Sequence, residues 1–187
     1  MIVIGIDPGL ADLGWAAVQL HADREEVAAL GLIRTAKGKG KGVLVTDDLH
    51  RRGQELARAL SGVLDEWSDV VCICAESISY PRSAAVSAMI GRAWGVIDAE
   101  LQRRQLALVS ASPQAIKKAV TGRKSASKDE VIDALDRRYD GNVRRLLSSI
   151  RAKTKHEHPA DAVGAVVACL ENDHLRLARR VMQTRAQ

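Results

Sequence analysis

The sequence predicts an α/β protein with a mixed five-stranded sheet, made of a three-strand meander plus parallel strands, and with helices on both faces. The chain opens with IVIGI, an apolar run too short for a helix, and Asp7-Pro8-Gly9 then indicates a turn. Residues 15–20 and 27–33 are strand candidates joined by a polar stretch, which favours antiparallel pairing. Residues 69–76 contain VVCICAE, an almost continuously apolar run typical of a strand covered on both faces.

Capping residues mark several of the predicted helices. Thr46 offers a hydroxyl cap to a helix that runs to Trp67 with apolar residues at helical spacing. Ser127 and Glu130 form a capping-box pattern, and Pro159 is a favoured first residue for the final helix. The remaining predicted elements are a helix over 83–105, a strand over 106–109, and short helices over 113–121 and 127–139.

Length and composition favour one domain over 1–187, with a core over 1–171 and a basic C-terminal helical extension over 172–187. Hydrophobic residues make up 47% of the chain and charged residues 27%, which excludes wholesale disorder. No apolar run approaches the roughly 18 residues of a membrane span, and the N-terminus lacks the features of a signal peptide. We expect Cys72, Cys74 and Cys169 to be reduced core residues of a cytoplasmic protein without a membrane partner.

The charge is divided unevenly along the chain. Between residues 103 and 155 there are 14 Lys and Arg against 5 Asp and Glu, whereas the rest of the chain carries 14 basic and 18 acidic side chains. A solvated helical face is the ordinary interpretation of a basic segment. The size of the difference favours a polyanionic partner such as nucleic acid.

Carboxylates occur where a buried strand or apolar helix should not carry charge. Asp7 ends the first strand, Glu76 ends the central strand, and Asp161 lies in the predicted first turn of the last helix, three residues after His158. If the first and central strands are parallel neighbours, both of their carboxylates emerge at one edge of the sheet. The start of the last helix could then bring Asp161 and His158 beside them.

Carboxylates packed this closely repel one another unless a cation is present. Oxygen ligands suit Mg²⁺ or Mn²⁺, and two such ions roughly 4 Å apart can activate water against a phosphodiester. Each residue also has an ordinary structural interpretation. Asp7 could be a turn residue, Glu76 a strand end, Asp161 an acid favoured by the helix dipole and His158 a neighbour of the helix cap.

The stretches that contain these residues resemble the RuvC family of Holliday-junction resolvases, in the ribonuclease-H-like superfamily. The matching stretches, in family order, are GIDPGLADLGWAAV, AES, IGRAWGVIDAELQRR, ASPQAIKKAVTGRKSASKDEV and HPADAVGAVVACL. They span residues 3 to about 170, and the spacing from Lys117 to Lys128 matches the family without a gap. GIDPG alone would be weak, because actin-like ATPases also open with an apolar strand, Asp and Gly.

The resemblance implies a ribonuclease-H-like fold and a metal-dependent endonuclease that cuts four-way DNA junctions symmetrically in recombination and repair. It assigns Asp7, Glu76 and Asp161 to the family's metal-binding carboxylates, which would hold Mg²⁺ or Mn²⁺, two ions per active site. His158 occupies a position where members have either Asp or His, so the resemblance implies that His158 is a fourth metal ligand, in a site of the H-x-x-D type. Lys117 and Lys128 correspond to basic residues near the scissile phosphate and complete the implied catalytic set.

The resemblance also implies partners and a DNA surface. The family acts as a homodimer on four-way or other branched DNA, with the helix from about Ser83 in the dimer contact, and a branch-migration motor is a further candidate partner. The protein would be nucleoid-associated in the cytoplasm, or in the host cytoplasm if it is viral. The expected DNA-binding residues are Tyr80, Arg82, Lys117, Lys118, Arg123, Lys124 and Lys128.

One departure from the family concerns the base-stacking aromatic residue. Members often carry it three positions after the second carboxylate, where this chain has Ser79, and the chain contains no Phe. Tyr80 could replace it or simply pack. Broader branched-DNA cleavage therefore stays open as an alternative. A junction-binding protein that has lost catalysis is a second alternative, against which the intact set of Asp7, Glu76, His158 and Asp161 argues, whereas the two lobes of an actin-like ATPase need about twice this length.

Overall fold

The computed structural model describes residues 1–38, 42–78 and 83–185, which form one five-stranded sheet with helices on both sides. A short 3₁₀ helix spans Lys153–Lys155. The strands and helices are β1 (Ile2–Asp7), β2 (Asp12–Leu20), β3 (Glu25–Arg34), α1 (Val45–Asp65), β4 (Val70–Glu76), α2 (Ala84–Arg104), β5 (Ala107–Ala111), α3 (Pro113–Thr121), α4 (Lys128–Arg138), α5 (Asn142–Leu147), α6 (Glu157–Cys169) and α7 (Asp173–Arg185).

The strand order is β3-β2-β1-β4-β5, with antiparallel pairing in the first three strands and parallel pairing of β1 with β4 and of β4 with β5. This arrangement confirms the predicted meander and the parallel neighbours. Side chains of β1 alternate between two cores, because successive residues of a strand point to opposite faces. Ile4 and Ile6 pack with α1 and α2, whereas Val3 packs with α4, α5 and α6.

The predicted capping box at Ser127 is confirmed. The Ser127 hydroxyl accepts a hydrogen bond from the Glu130 backbone N–H at 3.2 Å, and the Glu130 carboxylate accepts one from the Ser127 N–H at 2.7 Å. Ser83 caps α2 through the backbone N–H of Val86. Cys72, Cys74 and Cys169 are buried free thiols, as predicted. Among the described residues, no helix combines the length and apolarity of a bilayer span.

The predicted cap at Thr46 is wrong. Helix α1 begins at Val45 and has no side-chain cap. Its first turn is held by Asp48, whose carboxylate accepts hydrogen bonds from the Gly38 backbone N–H at 2.9 Å and from Arg51 at 2.6 Å. These contacts join the first turn of α1 to the preceding loop, but they do not cap the free N–H groups of the helix.

The predicted final helix is two helices, and it begins earlier than Pro159. The 3₁₀ helix leads directly into α6, so the helix starts at Glu157 and Asp161 lies in its second turn. Helix α6 ends at Cys169, and the Asn172 N–H donates to the Cys169 carbonyl in a turn before α7. Asn and Asp favour such turns. The sequence pattern also missed α5.

Two glycines let α6 lie directly on the sheet. A Cβ atom at Gly5 would lie 2.0 Å from the Ala162 carbonyl oxygen, and one at Gly14 would lie 2.1 Å from the His158 carbonyl oxygen. Neither approach is possible for a residue with a side chain unless the helix moves. The two glycines therefore set the distance between α6 and the ends of β1 and β2.

We expect Gly5→Ala to displace α6, lower the free energy of unfolding by at least about 1–3 kcal/mol and abolish nuclease activity, because the added methyl overpacks a rigid backbone contact. Gly62→Ala is the matched control, because Gly62 is an exposed residue of α1 and a Cβ atom there would have no neighbour within 4 Å. It should stabilise the protein by up to about 1 kcal/mol. Denaturant unfolding and a cleavage assay on both variants check the prediction, and equal effects of the two would contradict it.

Candidate active site

The described structure brings together the four candidate ligands at one edge of the sheet. Asp7 and Glu76 end the parallel neighbours β1 and β4, and both side chains are only partly exposed. His158 and Asp161 lie in the first two turns of α6, which packs over β1 and β2. Strand ends and one helix start therefore converge as the sequence predicted.

Asp7 and His158 make the most direct contact in this cluster. The Nδ1 atom of His158 lies 2.7 Å from Oδ2 of Asp7. This hydrogen bond raises the pKa of the imidazole above its ordinary value, although burial acts in the opposite direction. When Nδ1 carries the ring proton and donates it to the carboxylate, the lone pair of Nε2 is available to a ligand.

Glu76 and Asp161 are carboxyl groups in unfavourable surroundings for charge. Burial, followed by the charges of Asp7 and Asp161, raises the pKa of Glu76 to about 7. Burial, followed by the charge of Asp7, raises the pKa of Asp161 to about 7. The cluster therefore concentrates negative charge that its own surroundings do not neutralise.

The chemistry of these side chains fits a divalent cation. Three carboxylates and one imidazole supply the donor types that Mg²⁺ and Mn²⁺ take, and a cation would relieve the repulsion that raises the two pKa values. Within residues 1–38, 42–78 and 83–185, no three His, Cys, Asp or Glu side chains already have the spacing of a coordination site. The donors are gathered in one place, but they would have to close around an ion.

An ion-pair network beside the cluster holds the start of α6. Asp12, at the beginning of β2, lies 3.0 Å from Arg34 and 3.0 Å from Lys155. Burial raises the pKa of Asp12, but the hydrogen bonds from Lys155 and Arg34 outweigh it and leave the pKa below its ordinary value. Lys155 precedes His158 by three residues, so the network ties the approach to α6 to the sheet.

The predicted lysines lie beside the acids in different ways. Lys117 is half-buried on α3, and its charge lowers the pKa of Glu76 against the larger effect of burial. Lys128, at the start of α4, forms an ion pair with Glu157. The Glu157 hydrogen bond raises the pKa of Lys128. Lys128 is thus held next to the acidic cluster although its side chain is 68% exposed.

The remaining predicted DNA contacts are less uniform. Lys118 and Lys124 are exposed, and Arg123 is exposed but forms an ion pair with Glu130 at 2.5 Å. Tyr80 and Arg82 lie outside the described residues, so their predicted roles in DNA binding stay predictions.

Three residues near the site escaped the sequence analysis. Glu157 binds Lys128 and lies 3.8 Å from Nε2 of His158, while Asp12 and Lys155 form the network that anchors α6. Glu157 is adjacent to His158 in sequence, which was the one available signal. No spacing rule connects Asp12 with a lysine 143 positions later.

A carboxylate and histidine cluster at the carboxyl edge of a mixed sheet, next to basic residues, defines a nuclease of the ribonuclease-H-like fold. The sequence profile of "Crossover junction endodeoxyribonuclease RuvC" matches residues 3–169. The chain therefore belongs to the RuvC family, whose members are metal-dependent nucleases, and it is a Holliday junction-resolving endonuclease.

Individual relatives and solved structures agree with this membership. The RuvC of Rickettsia bellii (strain OSU 85-389) is 31% identical over 170 residues, covering 91% of this chain and 97% of the relative. That of Synechococcus sp. (strain WH7803) is 33% identical over 137 residues, covering 73% and 82%.

Two solved structures share the fold at lower sequence identity. The structure of T. thermophilus RuvC in complex with a Holliday junction substrate has a TM-score of 0.70 and 20% identity, with 97% of each chain covered. The fowlpox virus Holliday junction resolvase has a TM-score of 0.56 and 15% identity, covering 91% of this chain and 98% of that chain.

The raised carboxyl pKa values predict the pH dependence of the metal-free protein. The native state retains protons on Glu76 and Asp161 that the unfolded chain releases, so stability should fall as the pH rises from about 4 to about 7. Asp161→Asn removes one of these charges. We expect it to raise the melting temperature by several degrees at pH 8 and by much less near pH 4.5.

Thermal unfolding in EDTA, followed by circular dichroism across this pH range, measures the effect. Asp98→Asn, at an exposed position of α2, is the matched control and should show no comparable pH dependence. A gain for Asp161→Asn that is the same at both pH values would contradict the electrostatic explanation.

Proposed function

We propose that this chain acts as a homodimer and resolves four-way DNA junctions by cutting two strands symmetrically, in recombination and repair. The observation that carries the proposal is the set of electrostatically coupled acids Asp7, Glu76 and Asp161 at one edge of the sheet, with Lys117 beside them. A solvated basic face without such a cluster would suit binding alone. The two features together suit hydrolysis of a phosphodiester.

We further propose that Asp7, Glu76, His158 and Asp161 hold two Mg²⁺ or Mn²⁺ ions. The ions would supply a water nucleophile at neutral pH and stabilise the leaving oxygen. The protein holds these ligands in place: the α6 contact with Gly5 and Gly14 fixes the helix, and the hydrogen bond to Asp7 orients His158.

Lys117 and Lys128 have a different proposed role. Their ammonium groups would face the scissile phosphate and stabilise the negative charge that develops in the transition state. Lys128 lies against Glu157 in the free protein. A phosphate would therefore compete with this carboxylate for the lysine.

The outer face of α2 supports the homodimer. Its first turns present exposed small residues, Ala84, Ala85 and Ala88, which permit a close approach by a second copy. A cleft of about 680 Å³ lies beside them, with Val43 49% and Val45 72% exposed at its border. Covering these apolar side chains would favour association. A branch-migration motor as partner and a cytoplasmic, nucleoid-associated location, or the host cytoplasm for a viral protein, belong to the same proposal.

Cleavage of a synthetic four-way junction, a flap and a plain duplex with Mg²⁺ tests the proposed substrate. Symmetric cuts in the four-way junction, with little cutting of the flap and duplex, support the proposal. Equal cutting of flap and junction would instead indicate a broader branched-DNA nuclease, and binding without cutting would indicate an inactive junction-binding protein.

The acids should be essential for cutting but not for binding. We expect Asp7→Asn, Glu76→Gln and Asp161→Asn each to lower the cleavage rate at least about 100-fold, because a ligand charge is lost at constant volume. Junction affinity should stay the same or rise, since each change removes repulsion from phosphate. Cleavage and gel-shift titrations measure the two effects, and a variant that cuts at the wild-type rate removes that residue from the proposed site.

His158 should influence the choice of metal. We expect His158→Asp to stay active and to shift the balance from Mn²⁺ towards Mg²⁺, because an all-oxygen site suits the harder ion. His156, which hydrogen-bonds the Ile150 carbonyl at 2.9 Å, is the control for a general effect of removing an imidazole. Identical rates with Mg²⁺ and Mn²⁺ in wild type and His158→Asp would count against ligation.

Saturating DNA should separate the catalytic lysines from those that only bind. We expect Lys117→Ala and Lys128→Ala to lower the single-turnover rate even at saturation, since they meet transition-state charge. Lys124→Ala, at an exposed position, should weaken binding only, and added protein should restore its rate. If saturation also restores the other two variants, both lysines belong to the general basic surface.

A further inference from the structure

Helix α7 lies beyond the part of the chain that matches the sequence profile of the family. The match ends at residue 169, whereas α7 spans Asp173–Arg185. Leu175 is only 3% exposed and joins the core formed with α4, α5 and α6. Helix α7 is therefore packed on the domain, and the chemistry at the sheet edge gives it no role.

Arginines of α7 share one face of the helix. Arg176, Arg179 and Arg180 are spaced i, i+3 and i+4, which places them side by side. Together with Arg138 from the end of α4 they line an open cleft of about 530 Å³. The apolar part of its lining is Ala119, Val167 and Leu170.

One carboxylate organises this cleft. Glu25, whose side chain is 13% exposed, forms ion pairs with Arg138 and, at 3.4 Å, with Arg179. Arg176 and Arg180 are exposed. Among the described residues that line the cleft there are four arginines and two acids, Glu25 and Glu171.

The cleft lies at the opposite end of α6 from the candidate active site. Nine residues separate Asp161 from Leu170, which is about 14 Å along a helix. Helix α4 also extends from the active site to the cleft. It begins at Lys128, which pairs with Glu157, and it ends at Arg138, which lines the cleft. At about 3.4 Å per base pair, 14 Å corresponds to about four base pairs of duplex.

We propose that Arg138 and the arginines of α7 bind the phosphate backbone of a junction arm, at least about four base pairs from the crossover. The guanidinium group pairs with phosphate in a planar, two-point geometry, and a cleft lined by four arginines suits such contacts. Backbone contacts position DNA and carry no sequence information. The proposal rests on the proposed junction-resolving function and deepens it by extending the DNA surface beyond residue 169, where the match to the sequence profile ends.

A charge-matched pair of variants tests the contact. Arg176→Gln/Arg180→Gln removes two exposed arginines of the cleft, and Arg58→Gln/Arg103→Gln removes two from the α1–α2 side of the sheet. Junction affinity is measured in EDTA against salt concentration. The salt slope is the slope of the logarithm of the binding constant against the logarithm of the salt concentration. We expect it to be smaller in magnitude by about 1.8 for the α7 variant, so that the difference in affinity from wild type shrinks about 12-fold between 50 and 200 mM salt. The control variant should keep the wild-type slope.

Arg176→Lys/Arg180→Lys keeps the charge and should keep most of the slope, which separates loss of a contact from a disturbance of the helix. Thermal unfolding of each variant checks the fold independently. A salt slope for the α7 variant equal to that of the control would overturn the proposal, and α7 would then be the candidate surface for an acidic protein.

Neutral methylphosphonate linkages locate the contact on the DNA. A junction that carries them along its arms from about four base pairs outward should bind wild-type protein more weakly, and the α7 variant should not distinguish it from an unmodified junction. Equal losses in both proteins would overturn the proposal. If the proposed junction-resolving function itself is wrong, wild-type protein will neither bind nor cut the unmodified junction. If wild-type protein cuts normally and the α7 variant binds DNA in the same way as wild type, only the role of α7 is rejected.

Discussion

The close contact between α6 and the sheet is the constraint on which the site depends. His158 and Asp161 come from a helix, while Asp7 and Glu76 come from strand ends more than 80 residues earlier in the chain. They meet because Gly5 and Gly14 let the helix backbone approach to distances that any Cβ would prevent. The Asp12–Lys155 ion pair then fixes the segment that enters the helix.

The same packing imposes an electrostatic cost. Burial and the repulsion between neighbouring carboxylates raise the pKa values of Glu76 and Asp161 to about 7. Above that pH the folded chain must hold these two charges in a buried site, whereas the unfolded chain would keep them in water. The apolar contacts of α6 offset this cost, since most of its residues from Pro159 to Cys169 are buried. Helix α6 thus positions Asp161 in the acidic cluster and also contributes buried apolar residues to the core that stabilises the cluster.

The sequence predicted the parts of this arrangement that depend on local patterns. Strand ends at Asp7 and Glu76 followed from apolar runs, and the capping box at Ser127 followed from a four-residue motif. The start of α6 was predicted wrongly because a preceding 3₁₀ turn leads directly into the helix. The cap of α1 was predicted wrongly because the helix already begins at Val45 and has no side-chain cap. The partners Lys128 and Glu157 lie on different helices, and only the folded chain brings them together.

Substitutions at the two ends of α6 have different consequences. Residues at its first turns are confined by backbone contacts and by the acidic cluster, so substitutions there act on the chemistry directly. At its far end the chain turns at Asn172 and continues into α7, which is attached through Leu175 and through the ion pair of Arg179 with Glu25. Helix α7 is therefore separated from Asp161 by the length of α6 from that residue to its end, about 14 Å. The length of α6 thus keeps the residues that gather the acids apart from the part of the fold where arginines of α4 and α7 line a common cleft.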